Sequence, residues 1–246
     1  MADEVKLVHI ADFRAALEHY KVSAAAQKVL DEAKLVVLSG LAGGGRNTVI
    51  NNLVQKHDYF FLVSDTTRPP KIRDGAMEQN GVHYYFRSEE DMLQDIRDGA
   101  FIEAEIIHNQ QVSGTSIREL ARANATGRTA IHDFEYGGAH NVAMADPKAI
   151  IIGLLPPDYD EWIRRFRGRE ELHNAEFINR LHTAEKVLIK MLSEPYFRLV
   201  LNDRIEQCVA DILAIVDNKI DPQKQVDAKQ VAEELLDKVR QTLASE

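Results

Sequence analysis

The sequence predicts an α/β fold, a core sheet flanked by helices, and three observations carry that expectation. The apolar run LVVL at 35–38 breaks at Ser39-Gly40 into a glycine-rich loop, which feeds a helically periodic segment at 47–55. A further apolar run at 59–63 and the segment FIEAEII at 101–107 alternate with segments of helical character, the order expected of a sheet with helices packed on it. A chain of 246 residues with 45% hydrophobic and 28% charged side chains has the composition of a soluble globular protein, with room for one sizeable domain and an appendage or for two small ones.

The glycine-rich loop has the makings of a phosphate cradle. Glycines let consecutive backbone N–H groups turn toward one point, and the N-terminus of the following helix adds partial positive charge there. The pattern GxxxxGK[ST] is nearly met: Gly40 and Gly45 have the right spacing, with Gly43 and Gly44 between them, but Arg46 stands at the lysine position and Asn47 at the Ser/Thr position. Arginine binds phosphate as a planar fork and needs more room than the compact lysine ammonium. Asn47 offers Mg²⁺ a carbonyl oxygen, and Thr48 is a substitute ligand. The bland reading is a glycine turn that joins strand to helix and binds nothing.

Residues 1–33 read as helical material ahead of the first strand, with Phe13, Leu17 and Tyr20 at helical spacing and Ser23 as N-cap of a second helix. A packing or dimer role is expected for this extension. After the strand at 59–63, the stretch SDTTRPPKIRDG at 64–75 is expected to be a loop whose Arg68, Lys71 and Arg73 form an anion-binding edge or a solvated surface. GVHYYF (81–86), a helix at 89–98, the strands FIEAEII (101–107) and QVSGTS (111–116) and a helix at 117–125 follow.

By this point the chain resembles the guanylate kinases. That family carries, in outline, TTRxPRxGExxGxxYxF, then FxE, then YYGTS; here stand TTRPPK with Tyr84 and Phe86, FIE with Glu103, and SGT with Gly114 and Thr115. HDFEYGGA (132–139) resembles the strand end DIDxQGA, with Asp133 and Glu135 at the acidic positions. LLPP followed by RFRGR (165–169) resembles the last-but-one strand and the arginine-rich lid, INRL supplies Arg180, and LVLND (199–203) resembles the final strand and turn.

The resemblance implies a P-loop kinase fold, with a parallel core sheet, a small GMP-binding subdomain and a helical lid, and with transfer of the γ-phosphoryl of ATP to GMP assisted by Mg²⁺. It implies that Gly40, Gly43, Gly44, Gly45, Arg46, Asn47 and Thr48 hold ATP, with Asn202 near its adenine and Asn47 or Thr48 on Mg²⁺. Arg68, Tyr84 and either Lys71 or Arg73 would hold the GMP phosphate with Ser64 close by, Ser113 would also border GMP, and Glu103 and Thr115, joined by Asp133 or Glu135, would read guanine. Arg46, Arg165, Arg169 and Arg180 would act on the transferring group. The guanine assignment is sound chemically: a carboxylate accepts from N1–H and the exocyclic amine, a hydroxyl donates to O6, and adenine presents the wrong pattern.

The expected divisions are 1–33 for the extension, 34–217 for the kinase-like domain, with its GMP-binding subdomain at about 64–126 and lid at about 164–180, and 218–246 for a C-terminal amphipathic helix striped by Val231, Leu235, Val239 and Leu243.

Several departures from the family pattern fall on working positions. The loop carrying Lys71 is about four residues longer than the family's, Val112-Ser113 replaces the tyrosine pair, one extra residue lies between Glu103 and Gly114, and GREE, with Glu170 and Glu171, replaces GRGT in the lid. Two alternatives therefore stand beside the kinase: an inactive module that binds a nucleotide or peptide in the same cleft, and a kinase with another acceptor. The remaining features bound the setting. A net charge of -9 argues against a broad nucleic-acid surface, the single Cys208 excludes an internal disulfide, and the histidines show no metal-site spacing. No apolar run approaches the roughly 20 residues of a membrane span, and the first residues lack a signal-type apolar core, so a cytoplasmic setting is expected. The two terminal helices are the surfaces expected to meet a second copy or a partner.

Overall fold

In a computed structural model, residues 7–73, 75–167 and 174–245 are described. Two short helices come first, α1 (Ile10–Glu18) and α2 (Ala24–Glu32), the second capped by Ser23, whose hydroxyl accepts from Ala26 N. The strand β1 (Leu35–Gly40) is buried along its whole length and runs through the glycine loop into α3 (Arg46–Lys56). After β2 (Tyr59–Phe61) the expected loop contains short pairing segments: β3 (Asp65–Thr66), then the hairpin β4 (Ile72–Arg73) and β5 (Ala76–Met77). The extra residues of this loop are thus taken up by an exposed two-stranded hairpin.

The chain continues through β6 (Tyr85–Phe86), α4 (Glu89–Arg97), β7 (Phe101–Ile107), β8 (Gln111–Ser116), α5 (Ile117–Thr126), β9 (Thr129–Asp133) and α6 (Tyr136–Ala145). It closes with β10 (Ile150–Leu155), α7 (Tyr159–Arg167), α8 (Asn174–Ser193), β11 (Phe197–Leu201), α9 (Ile205–Val216) and α10 (Pro222–Ser245). Among the described residues no helix is long and apolar enough to cross a membrane.

The main sheet has the order β11-β10-β1-β9-β2, and β1 pairs parallel with β10, which pairs parallel with β11. A second sheet has the order β6-β3-β8-β7. The chain divides into two compact units. One comprises residues up to Lys34, Phe60–Ala130 and His140–Lys148; the other comprises Leu35–Tyr59, Ile131–Ala139 and the chain from Ala149 onward.

In the first unit, Leu7 and Phe13 of the N-terminal segment are buried together with Met92, Leu93, Ile96, Phe101 and Val112. The Glu89 carboxylate accepts from Val8 N (3.1 Å) and His9 N (2.8 Å), satisfying donors at the start of α1. In the second unit, α10 packs on α8 and β11 through Ala228, Ala232, Leu235, Leu236 and Val239. Val231 and Leu243 of the expected stripe are only half-buried, because the small residues Ala228 and Ala232 let this face approach most closely. At the edge of the main sheet the Gln225 amide accepts from Leu199 N (3.1 Å) and donates to Leu199 O (3.0 Å), making with one side chain the pair of bonds a further strand would make.

Candidate active site

The second unit carries the glycine loop. Gly43 and Gly45 have φ of +80° and +92°, the left-handed region in which a side chain is strained. A Cβ on Gly45 would also enter the amide of Asn202, whose Nδ2 donates to Gly44 O at 2.9 Å. Asn202, expected beside adenine, therefore fastens the loop itself. From α7, Trp162 donates its indole N–H to Ala42 O (2.8 Å), and Phe166 packs on Gly43. Arg165 is held by Glu161 (2.6 Å) and donates to the Asn202 carbonyl (2.7 Å). Gly43, Gly45, Thr48, Arg165, Asn202 and Asp203 line a cleft of about 520 Å³, ample for a nucleotide's phosphates.

This arrangement makes Gly45→Ala a sharp test of the loop. Left-handed strain and the collision with Asn202 are expected to lower the thermal midpoint by roughly 4–8 °C. ATP affinity, read by titration calorimetry, is expected to fall by about tenfold or more.

Arg46 leaves the first turn of α3 to meet the end of β9. Its Nη1 donates to Phe134 O (3.2 Å) and lies 4.0 Å from Asp133, while Nη2 is 3.5 Å from Glu135. Burial pushes the Asp133 carboxyl up, but contact with His132 and the Arg46 charge outweigh it and hold the pKa below the usual carboxylate range. Sequence reasoning put these two acids against guanine; the structure brings them to the P-loop arginine. Asn47 and Thr48 are exposed at the same helix start.

Of the lid arginines, Arg180 makes an exposed i,i+4 pair with Glu176 (3.4 Å) on α8. Arg169, Glu170 and Glu171 lie outside the described residues.

In the first unit the second sheet assembles residues expected around GMP. Glu103 on β7 faces Thr115 on β8 in register and accepts from Thr115 N at 3.1 Å. Thr115 Oγ1 is 3.5 Å from Ser64 Oγ, and Thr66 Oγ1 is 3.0 Å from Ser113 Oγ. Burial, reinforced by Glu105, pushes the Glu103 carboxyl up to about 8. The neighbouring Asp65 is fully buried and bound by Arg87 (2.9 Å) and Arg118 (2.9 and 3.1 Å), which fixes β3 beside Ser64.

Arg68 is gripped by a residue that sequence reasoning did not single out. Glu78 accepts from Arg68 Nη1 (2.6 Å) and Nη2 (2.9 Å) and from Lys71 N (3.0 Å), and the guanidinium lies 4.7 Å over the Tyr84 ring. Those hydrogen bonds hold Glu78 down to about 2. Glu78 takes the Nη1–Nη2 edge of the fork, which leaves the Nε edge as the one suited to an anion. The available signal was spacing: Glu78, Gly81 and Tyr84 repeat the ExxGxxY part of the family's run, with Met77 at its leading glycine, displaced by the longer loop. Lys71 and Arg73 have exposed positions in this hairpin region.

A family model described as guanylate kinase matches residues 32–219. The chain belongs to the guanylate kinase family. It is 35% identical over 185 residues to the guanylate kinase of Synechococcus sp., covering 74% of this chain and 82% of that one. It is 34% identical over 178 residues to guanylate kinase 1 of Arabidopsis thaliana, covering 71% of this chain but 45% of the relative, so it spans less than half that relative's length. A crystal structure of guanylate kinase from Anaplasma phagocytophilum shares the fold, with a TM-score of 0.56 at 24% identity, covering 82% of this chain and 94% of that one.

Proposed function

We propose that this chain is a guanylate kinase that moves the γ-phosphoryl group of ATP to GMP, giving ADP and GDP. The observation that carries this reading is the buried Glu103 set in register with Thr115, beside Ser64, in a chain of this family. Ionised Glu103 accepts from N1–H and the exocyclic amine of guanine, and the Thr115 hydroxyl donates to O6. The Nε edge of Arg68, with the Tyr84 and Ser64 hydroxyls, takes the acceptor phosphate, and Ser113, Lys71 and Arg73 add polar and cationic groups near it.

On the donor side the amides of Gly43 to Asn47 and the start of α3 cradle the ATP phosphates. Arg46, supported by Asp133 and Glu135, supplies the cation there, and Arg165, Arg169 and Arg180 are assigned to the closing lid. A GMP phosphate oxygen forms the new bond to the γ-phosphorus as its bond to the bridging oxygen of ADP breaks; position and charge do the rest.

Mg²⁺ fits the donor set. Among the described residues no cluster of three or more His, Cys, Asp or Glu side chains is arranged to cage a metal, and the Asn47 and Thr48 oxygens at the start of α3 are the hard, sparse ligands that would leave places for water and phosphate oxygens. When bound, the ion neutralises charge on the donor phosphates.

An inactive binding module is not favoured, because the curated relatives reported above are themselves named guanylate kinases. The test is ADP formation with ATP, Mg²⁺ and a panel of nucleoside monophosphates. Turnover with GMP and none with AMP or CMP is the expected result; turnover with none of them would overturn the reading.

A further inference from the structure

The family match begins at residue 32, yet the segment before it is built into the unit that carries Glu103. Tyr20 follows α1, and its hydroxyl donates to Phe101 O (2.6 Å) and accepts from Phe101 N (2.8 Å). Three residues later Ser23 N donates to Gly99 O (3.0 Å). The extension is therefore fastened to the start of β7 at two points, and one of them uses both hydrogen-bonding groups of a single backbone residue.

Phe101 is where the β7–β8 ladder changes register. It pairs with Ser116, and the regular pairing resumes at Glu103 with Thr115 after a shift between Phe101 and Glu103. An irregularity of this kind re-aims the side chains beyond it and leaves backbone groups that need other partners. Here one phenol satisfies Phe101's N–H and C=O together. Burial raises the Tyr20 pKa to about 12, so the hydroxyl keeps the proton it donates. The same segment walls a cavity of about 600 Å³, in which Tyr20, Lys21 and Val22 face Glu103, with Asn141 and Met144 of α6 completing it.

We infer that Tyr20 is a positioning residue for acceptor-base recognition: by pinning the irregular start of β7 it sets the aim of Glu103, and the N-terminal extension walls the cavity that Glu103 borders. The acceptor class is a 6-oxopurine nucleotide bearing a 2-amino group, because the carboxylate needs two donors side by side. This inference rests on the proposed role of Glu103.

Calorimetric titration of the full chain with GMP and with IMP, which lacks the 2-amino group, tests it on wild type, Tyr20→Phe, Glu103→Gln and the double variant. Loss of the phenol is expected to weaken GMP by about tenfold and IMP by about twofold or less, so that discrimination between them collapses, while ATP affinity is unchanged. In the Glu103→Gln background, Tyr20→Phe is expected to add nothing further, the signature of a residue acting through another.

Arg14→Ala serves as the control. It removes the bond from the exposed face of α1 to Asn109 (3.0 Å) without touching the phenol, and is expected to leave the GMP-to-IMP ratio alone. Equal loss of GMP and IMP, an additive double variant, or a ratio that Arg14→Ala also changes would each overturn the inference while leaving GMP turnover intact. A wild type that binds GMP no better than IMP, with Glu103→Gln without effect, would overturn the reading of Glu103 itself and the inference with it.

Discussion

Replacing Arg68 with methionine is expected to weaken GMP binding by about 100-fold while leaving ATP affinity within about twofold. Methionine keeps much of the arginine stem's bulk and removes the fork that lies over the Tyr84 ring. The same change strips Glu78 of its partner. Glu78 is 6% exposed and keeps its bond from Lys71 N, so the lost pairing is expected to cost about 1–3 kcal/mol.

The pH dependence separates the two effects. With its folded pKa at about 2 against an ordinary 4.5, Glu78 contributes stability that is fully present above about pH 4.5 and is lost as pH falls toward 2. In Arg68→Met that acid-side loss is expected to flatten. Thermal midpoints at pH 7 and pH 3, measured beside GMP titrations, read both. An unchanged GMP affinity would mean that the acceptor phosphate is held elsewhere.

Glu103→Gln is expected to have the second large effect and to move affinity and stability in opposite directions. The carboxyl has a folded pKa of about 8 against 4.5, so at neutral pH much of it is protonated in the free protein and matches guanine's two donors poorly. GMP affinity is therefore expected to rise with pH up to about 8 and then level off. The glutamine variant is expected to lose that pH dependence and at least about tenfold in affinity at pH 8.

Stability runs the other way. Between pH 4.5 and 8 the unfolded chain has released this proton while the folded chain retains it, so the wild type loses stability as pH rises through that window. Glutamine has no proton to lose, and its carbonyl still accepts from Thr115 N. The variant is expected to match the wild type near pH 5 and to melt higher at pH 8. Melting curves at the two pH values check this, and a variant that melts lower at both would refute it.

The parts of this molecule that were legible in the sequence are those with a local cause. The glycine loop and β1 announce themselves because a buried strand ending in glycines has few other uses, and β7, β8 and α4 fall at the segments read as strands and helix from the sequence. Glu103 and Thr115 were singled out only through motifs shared with the guanylate kinases, and their pairing in register is a finding of the structure. What the sequence concealed depends on long-range geometry. Nothing in the spacing of Arg46, Asp133 and Glu135 says that a fork from α3 reaches the end of β9. Asn202 has an amide that suits either a base or a backbone carbonyl, and only the fold brings Gly44 to it. Tyr20 occupies an ordinary position on a helical stripe, and its bonds to Phe101 span 81 residues.

Gln225 gives the order of synthesis a structural meaning. On a ribosome adding roughly 5–20 residues per second, β11 emerges about a second or more before the residue that caps its outer edge can leave the exit tunnel. During that interval Leu199 offers an open N–H and C=O to any neighbouring strand, including that of another nascent chain on the same message. Emergence of α10 brings Gln225 to that edge and closes it.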